Sequence, residues 1–144
     1  MKTFATSREI PAKPEQVFAA FSASERLARW WGPAGFTNTF RTCEFKTGGR
    51  WSLTMHGPNG SNYPNESVFA EIVAPSKVAI QHVSEPRFLL TVTLAPLPNG
   101  GTHLSWSQAF ENEEVARAVE PIVVPANEQN LDRLTAEVLR HPAS

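Results

Sequence analysis

The chain has little cysteine and no excess of charge. Cys43 is its single cysteine, so no disulfide can form within the chain. The chain has 13 Lys and Arg and 14 Asp and Glu, which gives a formal net charge of −1. Because a phosphate backbone is bound by clustered positive charge, we expect no nucleic-acid partner. The sequence also lacks a long apolar run and the apolar segment of a signal peptide, so we expect a cytoplasmic protein without membrane insertion.

The motifs of several catalytic classes are missing as well. The four histidines, at positions 56, 82, 103 and 141, form no HxH, HExxH or Cys/His cluster, so we expect no metal site. No G-x-S-x-G motif, P-loop or dinucleotide fingerprint is present, and we expect no cofactor. Cys43 has no histidine close in sequence and is expected to be an inert, small apolar side chain.

What the sequence does contain is enough apolar residues, 41% of 144, to bury one core, and we expect a single domain over residues 1–144. A short extended segment is predicted over residues 4–10. Pro14 suits the first position of a helix, because its missing N–H would have no helical partner there. Val17, Phe18 and Phe21 then recur on one helical face, which predicts a first short helix.

A second short helix is predicted directly after the first. Ser22 and Glu25 have the spacing of a capping box, and the helix is expected to run through Trp31 and to end at Gly32-Pro33. Trp30 and Trp31 are expected to anchor these helices to a sheet or to cap the mouth of a cavity.

From residue 37 to residue 110 the pattern changes to period two, which predicts an antiparallel meander. The expected strands run over 37–45, 50–56, 67–73, 77–83, 88–95 and 102–110. A helical turn or two is predicted over 113–119 and an interruption at Pro121 and Pro125. A terminal amphipathic helix over 127–141 follows, with Leu131, Leu134 and Val138 on its buried side.

Alternation also assigns side chains to the two faces of the sheet. The residues expected on one face are Trp51, Leu53 and Met55, then Val78, Ile80 and His82, then Leu90, Val92 and Leu94, and finally Leu104, Trp106 and Gln108. We expect these faces to form one wall. A bent sheet crossed by a long helix can leave a concave apolar interior of the kind that binds small molecules, or its side chains can fill that interior as a solid core.

Several short motifs occur in a fixed order along the chain. They occupy residues 10–18 (IPAKPEQVF), 30–33 (WWGP), 48–51 (GGRW), 55–60 (MHGPNG), 63–64 (YP), 69–72 (FAEI) and 131–134 (LDRL). In order and spacing they resemble the family of proteins homologous to the activator of the heat-shock protein 90 ATPase. That family lies within the START-like, or SRPBCC, superfamily, and the resemblance extends over nearly the whole chain.

The resemblance implies an α+β helix-grip fold. In that fold a strongly curved antiparallel sheet of about seven strands wraps around a long C-terminal helix, with two short helices between the first two strands. It also implies an internal cavity, but not one activity, since the superfamily includes lipid carriers, hormone receptors, cyclases, hydroxylase subunits and co-chaperone domains.

The chain departs from the family pattern at several positions. The family commonly has Gly-Trp just ahead of its Leu-x-x-Leu pattern, where this chain has Ala126-Asn127. A glycine often precedes the Phe-x-Glu-Ile strand, where this chain has Ser67. If Asn127 replaces an aromatic residue of the cavity, the cavity should be larger and more polar at that end.

Our first functional hypothesis is the binding of a small apolar or amphipathic molecule in this cavity. The residues expected to line it are Trp31, Trp51, Leu53, Met55, Tyr63, Phe69, Glu71, Ile80, His82, Val92, Trp106, Gln108, Asn127 and Leu131.

The second hypothesis is an enzyme of the cyclase or hydrolase type that uses His82 or Glu71 with Tyr63. A buried His–Glu pair would give a general base poised near neutral pH. Each residue also has a structural interpretation: His82 as a hydrogen-bonded core histidine, and Glu71 as half of an ion pair with Arg50 or Arg87.

The third hypothesis is a protein-interaction domain that acts on a chaperone ATPase. The sequence favours it least, because the chaperone activators carry an additional amino-terminal domain and the charge of this chain is nearly balanced. An exposed apolar patch would favour it. Edge strands of the sheet could support a homodimer, although nothing in the sequence demands one.

Overall fold

The computed structural model describes residues 1–140, which form seven strands and three helices. In chain order they are β1 (Lys2–Ile10), α1 (Pro14–Ser22), α2 (Ser24–Trp30), β2 (Thr37–Cys43), β3 (Arg50–His56), β4 (Asn62–Val73), β5 (Lys77–His82), β6 (Phe88–Pro96), β7 (Thr102–Phe110) and α3 (Glu113–Arg140). The strands form one antiparallel sheet in the order β1-β7-β6-β5-β4-β3-β2. The predicted helix-grip fold is confirmed, including the two short helices between β1 and β2.

The main core lies between the sheet and the three helices. Phe21 of α1 packs edge-to-face on Trp30 of α2, with ring centroids 4.9 Å apart, and both side chains are 1% exposed. The indole N–H of Trp30 donates to the carbonyl oxygen of Ala20 at 2.9 Å. Trp30 therefore anchors the two short helices, one of the two roles expected for the tryptophan pair. Leu131 and Leu134 bring α3 into the same core.

Strand β4 begins at Asn62, whereas the sequence pattern placed its start at residue 67. Its residues 62–65 have a strand neighbour on one side only, β3, because the ladder with β5 begins at Ser67. Pro64 lies in this arm, opposite Thr54. A strand with a neighbour on one side tolerates a residue that lacks an N–H, so proline did not end the strand here.

The predicted capping box at the start of α2 is not formed. Ser22 ends α1, and its hydroxyl donates to the carbonyl oxygen of Ala19 at 3.3 Å. The N-cap of α2 is Ala23, which has no side chain that could cap. A side-chain bond of this type forms at α1 instead, where Oε1 of Gln16 accepts from the backbone N–H of Lys13 at 2.8 Å.

Helix α3 runs without a break from Glu113 to Arg140, so the predicted interruption at Pro121 and Pro125 is wrong. Both prolines lie on its exposed side, where water can bond the carbonyl groups that lose their N–H partners. Buried residues before and after them hold the helix against the sheet, and this packing outweighs the low helix propensity of proline. The predicted end of the helix at His141 lies outside the described residues. None of the helices within residues 1–140 is both long and apolar enough to cross a membrane.

Candidate functional site

A cavity of about 210 Å³ lies between the concave face of the sheet, α3 and the segment that follows α2. Most of its wall is apolar or aromatic, formed by Trp31, Gly32, Pro33, Trp51, Met55, Ile80, Pro86, Phe88, Leu90, Trp106 and Ala126. The polar side chains of the wall are Asn65, Ser67, His82, Gln108, Asn127 and Asn130. Within the described residues the wall contains no Asp, Glu, Lys or Arg.

The structure places eight of the residues expected from the sequence on this wall: Trp31, Trp51, Met55, Ile80, His82, Trp106, Gln108 and Asn127. Four others, Leu53, Phe69, Val92 and Leu131, are at most 2% exposed and belong to the packed core. Alternation therefore identified the inner face of the sheet, but not the part of that face where packing leaves space.

Glu71 does not face the cavity, contrary to the sequence prediction. The register between β4 and β5 shifts between Phe69 and Glu71, which is a β-bulge at Ala70. Before the bulge Phe69 pairs with the inward Ile80, and after it Glu71 pairs with Ala79 on the outer face. The Glu71 carboxylate is half exposed and pairs with Lys77 at 2.6 Å, not with Arg50 or Arg87 as predicted.

Tyr63 is not part of the wall either, although it shares a face with Met55, its partner on β3. It is 45% exposed, and its ring lies 6.0 Å from that of Phe36. Because Tyr63 lies in the arm of β4 that has a neighbour on one side only, no strand covers it. The residues of the enzymatic hypothesis, His82, Glu71 and Tyr63, are thus not brought together.

Several wall residues were not predicted from the sequence. Asn65 lies in the arm of β4 whose strand character the pattern hid, and Ser67 was noted only as a departure from the family. Asn130 could have been found, because it lies three positions after Asn127 and shares its helix face. Phe88 follows from alternation as the residue two before Leu90. The wall positions Pro33, Pro86 and Ala126 gave no comparable signal.

His82 is the one titratable side chain of the wall among the described residues. Its Nδ1 lies 2.8 Å from the carbonyl oxygen of Pro86 and its Nε2 lies 2.6 Å from Oδ1 of Asn65. The ring stacks on Phe88 with centroids 4.6 Å apart. Burial lowers the pKa of His82, because desolvation outweighs its backbone hydrogen bonds at Pro86 and Ser84. Both ring nitrogens are held by protein groups, as in the structural interpretation of this histidine.

A group of three amide side chains, the amide cluster of Gln108, Asn127 and Asn130, lines the side of the cavity next to α3. Nδ2 of Asn127 donates to Oε1 of Gln108 at 3.1 Å. Oδ1 of Asn130 accepts from the backbone N–H of Gly32 at 2.7 Å. Asn127 therefore faces inward and makes this end of the cavity polar, as the departure from the family pattern predicted.

Tryptophan rings form another part of the wall. The ring of Trp31 packs edge-to-face on Trp51 with centroids 4.8 Å apart, and lies 6.3 Å from Trp106. Trp51 and Trp106 are each 2% exposed, and their indole N–H groups have no hydrogen-bond partner within residues 1–140. Trp31 thus lines the cavity, whereas its neighbour Trp30 anchors the helices.

The segment after α2 that closes one side of the cavity is held by Arg133 of α3. The guanidinium donates to five backbone carbonyl oxygens, those of Arg29, Trp31, Gly32, Pro33 and Phe36, at 2.8–3.0 Å. Burial lowers the pKa of Arg133. Gly32 has a φ of +95°, and a Cβ there would lie 2.8 Å from Cε of Met55, so this position favours glycine.

A buried carboxylate ties α3 to α2 farther along the helix. Glu137 is 1% exposed, and its oxygens accept from Arg26 at 3.0 Å and from Arg29 at 3.2 Å. Arg140 lies 3.3 Å from the same carboxylate. Burial raises the pKa of Glu137, but the hydrogen bonds from Arg29 and Arg26 outweigh it and the net pKa is lowered.

Within residues 1–140, neither Cys43 nor a cluster of metal-ligating side chains forms a further site. Cys43 packs partly buried against the main core, and burial raises the pKa of its thiol, which disfavours the reactive thiolate. No group of three or more His, Cys, Asp or Glu within residues 1–140 is arranged to hold a metal ion.

Solved structures similar to this chain come from several bacteria. A protein from Arthrobacter aurescens, solved by solution NMR, is 27% identical, with a TM-score of 0.87 over 96% of this chain and 87% of that chain. A crystal structure of a Chromobacterium violaceum protein is 24% identical, with a TM-score of 0.83 over 94% of this chain and 96% of that chain. A crystal structure of an AHSA1 protein from Silicibacter pomeroyi is 21% identical, with a TM-score of 0.77 over 97% and 100% of the two chains.

No curated protein matches the sequence of this chain. The sequence profile described as "Activator of Hsp90 ATPase homolog 1-like protein" matches residues 11–138, which is most of the chain. That match confirms the resemblance carried by the motifs between residues 10 and 134. The chain therefore belongs to the family of activator of Hsp90 ATPase homolog 1-like proteins.

Proposed function

We propose that this protein binds a small hydrophobic or amphipathic molecule in the cavity beneath α3. The observation that supports the proposal is a space of about 210 Å³ lined mainly by apolar and aromatic side chains. Native cores leave few voids larger than a water molecule, which needs about 10–15 Å³. An apolar cavity of about 150 Å³ is enough to bind benzene, so this one has room for one or two rings.

The polar lining supports a ligand that is not purely apolar. Six polar side chains stand among the apolar ones, on β4, β5, β7 and α3. Small-molecule sites combine a mostly apolar wall with a few polar groups that orient the ligand, and this wall has that composition.

Neither alternative function has a comparable observation. For an enzyme, Glu71 lies on the outer face, Tyr63 lies outside the cavity wall, and the ring nitrogens of His82 are already engaged. For a chaperone partner, the exposed apolar residues of α3 include Ile122 and Val124, which lie two positions apart and so point in different directions.

The test is a titration with indane and 1-indanone, two uncharged molecules of two fused rings, followed by tryptophan fluorescence and calorimetry. We expect at least one to bind with a dissociation constant of about 0.1 mM, a normal affinity for a ligand of this size. Ala126→Phe places a ring into the cavity and should weaken binding by about tenfold or more.

The matched control is Ala136→Phe, which makes the same change at an exposed position of α3 outside the cavity and should bind as the unmodified protein does. The proposal is wrong if neither compound binds up to its solubility limit. It is also wrong if Ala126→Phe and Ala136→Phe bind equally well.

A further inference from the structure

The cavity wall contains hydrogen-bonding groups that the protein leaves without partners. Gln108, Asn130 and Ser67 are 8%, 5% and 4% exposed. The hydroxyl of Ser67, Nε2 of Gln108 and Nδ2 of Asn130 have no hydrogen-bond partner among residues 1–140. Buried polar groups are nearly always paired with protein, ordered water or a bound molecule, so these groups are open to whatever molecule occupies the cavity.

Whichever way its amides are oriented, the amide cluster has more free hydrogen-bond donors than free acceptors. If Gln108 and Asn127 are both reversed, their mutual bond persists with the roles exchanged, and one NH₂ and one C=O still remain free. The orientation of Asn130 is fixed, because its Oδ1 must accept from the N–H of Gly32. Its NH₂ group therefore stays free. In either orientation, these neighbouring side chains therefore present two free amide NH₂ groups and one free amide carbonyl.

The charge of the cavity wall also limits which ligands can bind. The described part of the wall has no Lys or Arg that could neutralise an anion, and no Asp or Glu that could neutralise a cation. An ion buried without a partner is strongly disfavoured. The ligand is therefore uncharged in the part that enters the cavity.

We infer that the ligand is an uncharged molecule of one or two rings whose carbonyl oxygen accepts hydrogen bonds from the amide cluster of Gln108, Asn127 and Asn130. This inference rests on the proposed function and adds the chemical class of the ligand. A carbonyl oxygen has two lone pairs and can accept from two amino groups at once. The rings lie against the tryptophan side of the wall, where Trp31 and Trp106 offer aromatic surface.

The first test compares 1-indanone with indane and with indane-1-carboxylate on the unmodified protein. The three share the same ring system and differ in having a carbonyl, no polar group or a negative charge. We expect 1-indanone to bind about tenfold tighter than indane, and the carboxylate to bind more weakly than indane.

The second test removes one donor from the wall. Asn130→Asp keeps an oxygen for the N–H of Gly32 but replaces the free NH₂ with a carboxylate oxygen, so the preference for 1-indanone over indane should disappear. The control is Gln129→Glu, the same amide-to-acid change one residue earlier. Oε1 of Gln129 accepts from the N–H of Ala34 in the same segment, outside the cavity, and this variant should keep the preference.

Gln108→Met, an uncharged variant of similar length, covers the case in which Asn130→Asp does not fold. It should reduce the preference for 1-indanone over indane several-fold. Equal binding of 1-indanone and indane to the unmodified protein would refute the inference but not the proposed function, because water would then satisfy the amides. Tightest binding of the carboxylate would also refute it. Failure of all three compounds would contradict the proposed function itself.

Discussion

Two polar clusters lie on α3, about two helical turns apart, and they differ in how fully the protein satisfies them. Around Glu137 three arginines surround one buried carboxylate. Around Asn130, the amide cluster keeps amino groups that no residue of the described chain accepts. One helix thus carries both a polar group held entirely by protein and polar groups left open toward a cavity.

The difference separates a structural role from the binding role that we propose for the cavity. A carboxylate held by several arginines fixes how two helices pack, and it has no group left for a ligand. Unpaired amides lower the stability of the empty protein and persist where function requires them. Removing a polar group should therefore lower the free energy of unfolding strongly in the Glu137 cluster. In the amide cluster it should hardly change that free energy.

The largest effect is expected for Glu137→Gln. It leaves Arg26, whose side chain is 14% exposed, without its charged partner, so the free energy of unfolding in urea should fall by about 3 kcal/mol. Glu128→Gln is the control on the same helix: its half-exposed carboxylate pairs with Arg8 at 2.9 Å, and its loss should cost about 0.5 kcal/mol. Equal losses in the two variants would contradict a structural role for the buried cluster.

The lowered pKa of Glu137 predicts how the stability of the protein changes at acidic pH. Its folded-state pKa is lowered from 4.5, so its contribution to stability is fully present above pH 4.5 and is lost as the pH falls through the folded-state value. The stability difference between the unmodified protein and Glu137→Gln should therefore shrink in urea unfolding experiments below pH 4.5. A difference that stays constant down to pH 3 would show that the charge of Glu137 does not matter.

Arg133→Lys should have the next largest effect, about 2 kcal/mol in urea unfolding. An ammonium has three donors and cannot reach the five carbonyl groups that the guanidinium holds, so buried acceptors lose their partners. Because the released segment forms part of the cavity wall, 1-indanone should also bind less tightly. Arg117→Lys changes an exposed arginine of the same helix and should leave both measurements unchanged.

A smaller effect on stability is expected from the protonation of His82. Burial lowers its folded-state pKa below 6.5, so the unfolded chain takes up a proton that the folded protein resists. Stability should therefore decrease as the pH falls from 6.5 toward the folded-state pKa. Urea midpoints between pH 7.5 and 5.5 should decrease less in His82→Gln. Identical slopes for the two proteins would show that His82 titrates in the folded protein as it does in the unfolded chain.

The smallest effect is expected for Gln108→Met in the protein without ligand. The variant loses one hydrogen bond to Asn127 and also removes an unpaired NH₂ group, so its unfolding free energy should change by less than about 1 kcal/mol. A loss close to that of Glu137→Gln would mean that the amide cluster is structural, and the contrast between the two clusters would disappear.

Much of the fold could be predicted because periodicity and turn residues report local structure. β3 and β7 have the predicted bounds, and the inward sets that begin at Trp51 and Leu104 are buried, except for Met55, which is partly buried. The continuity of α3 through Pro121 could not be predicted, because it depends on packing on both sides of the proline. The start of β4 depends on which neighbours its residues have in the sheet, and that is not a local property either.

The site was only partly predictable, for a related reason. A sequence assigns Leu53 and Trp51 to the same face, but only the sum of side-chain volumes decides which of them borders empty space. Asn127 was identified because a family pattern drew attention to it. Asn130 was not predicted, because the apolar period of the same helix indicates Leu131 and Leu134 and not the polar residue before them.

The bulge at Ala70 has a consequence for the chemistry that the cavity could acquire. In a strand, one residue more or fewer exchanges the two faces for everything that follows. If β4 paired regularly with β5 through Ala70, the carboxylate of Glu71 would point inward and the side chain of Ile72 outward, on the face of the sheet whose cavity wall carries no acid among the described residues. The bulge thus keeps a carboxylate off the inner face, where an unpaired charge would be costly.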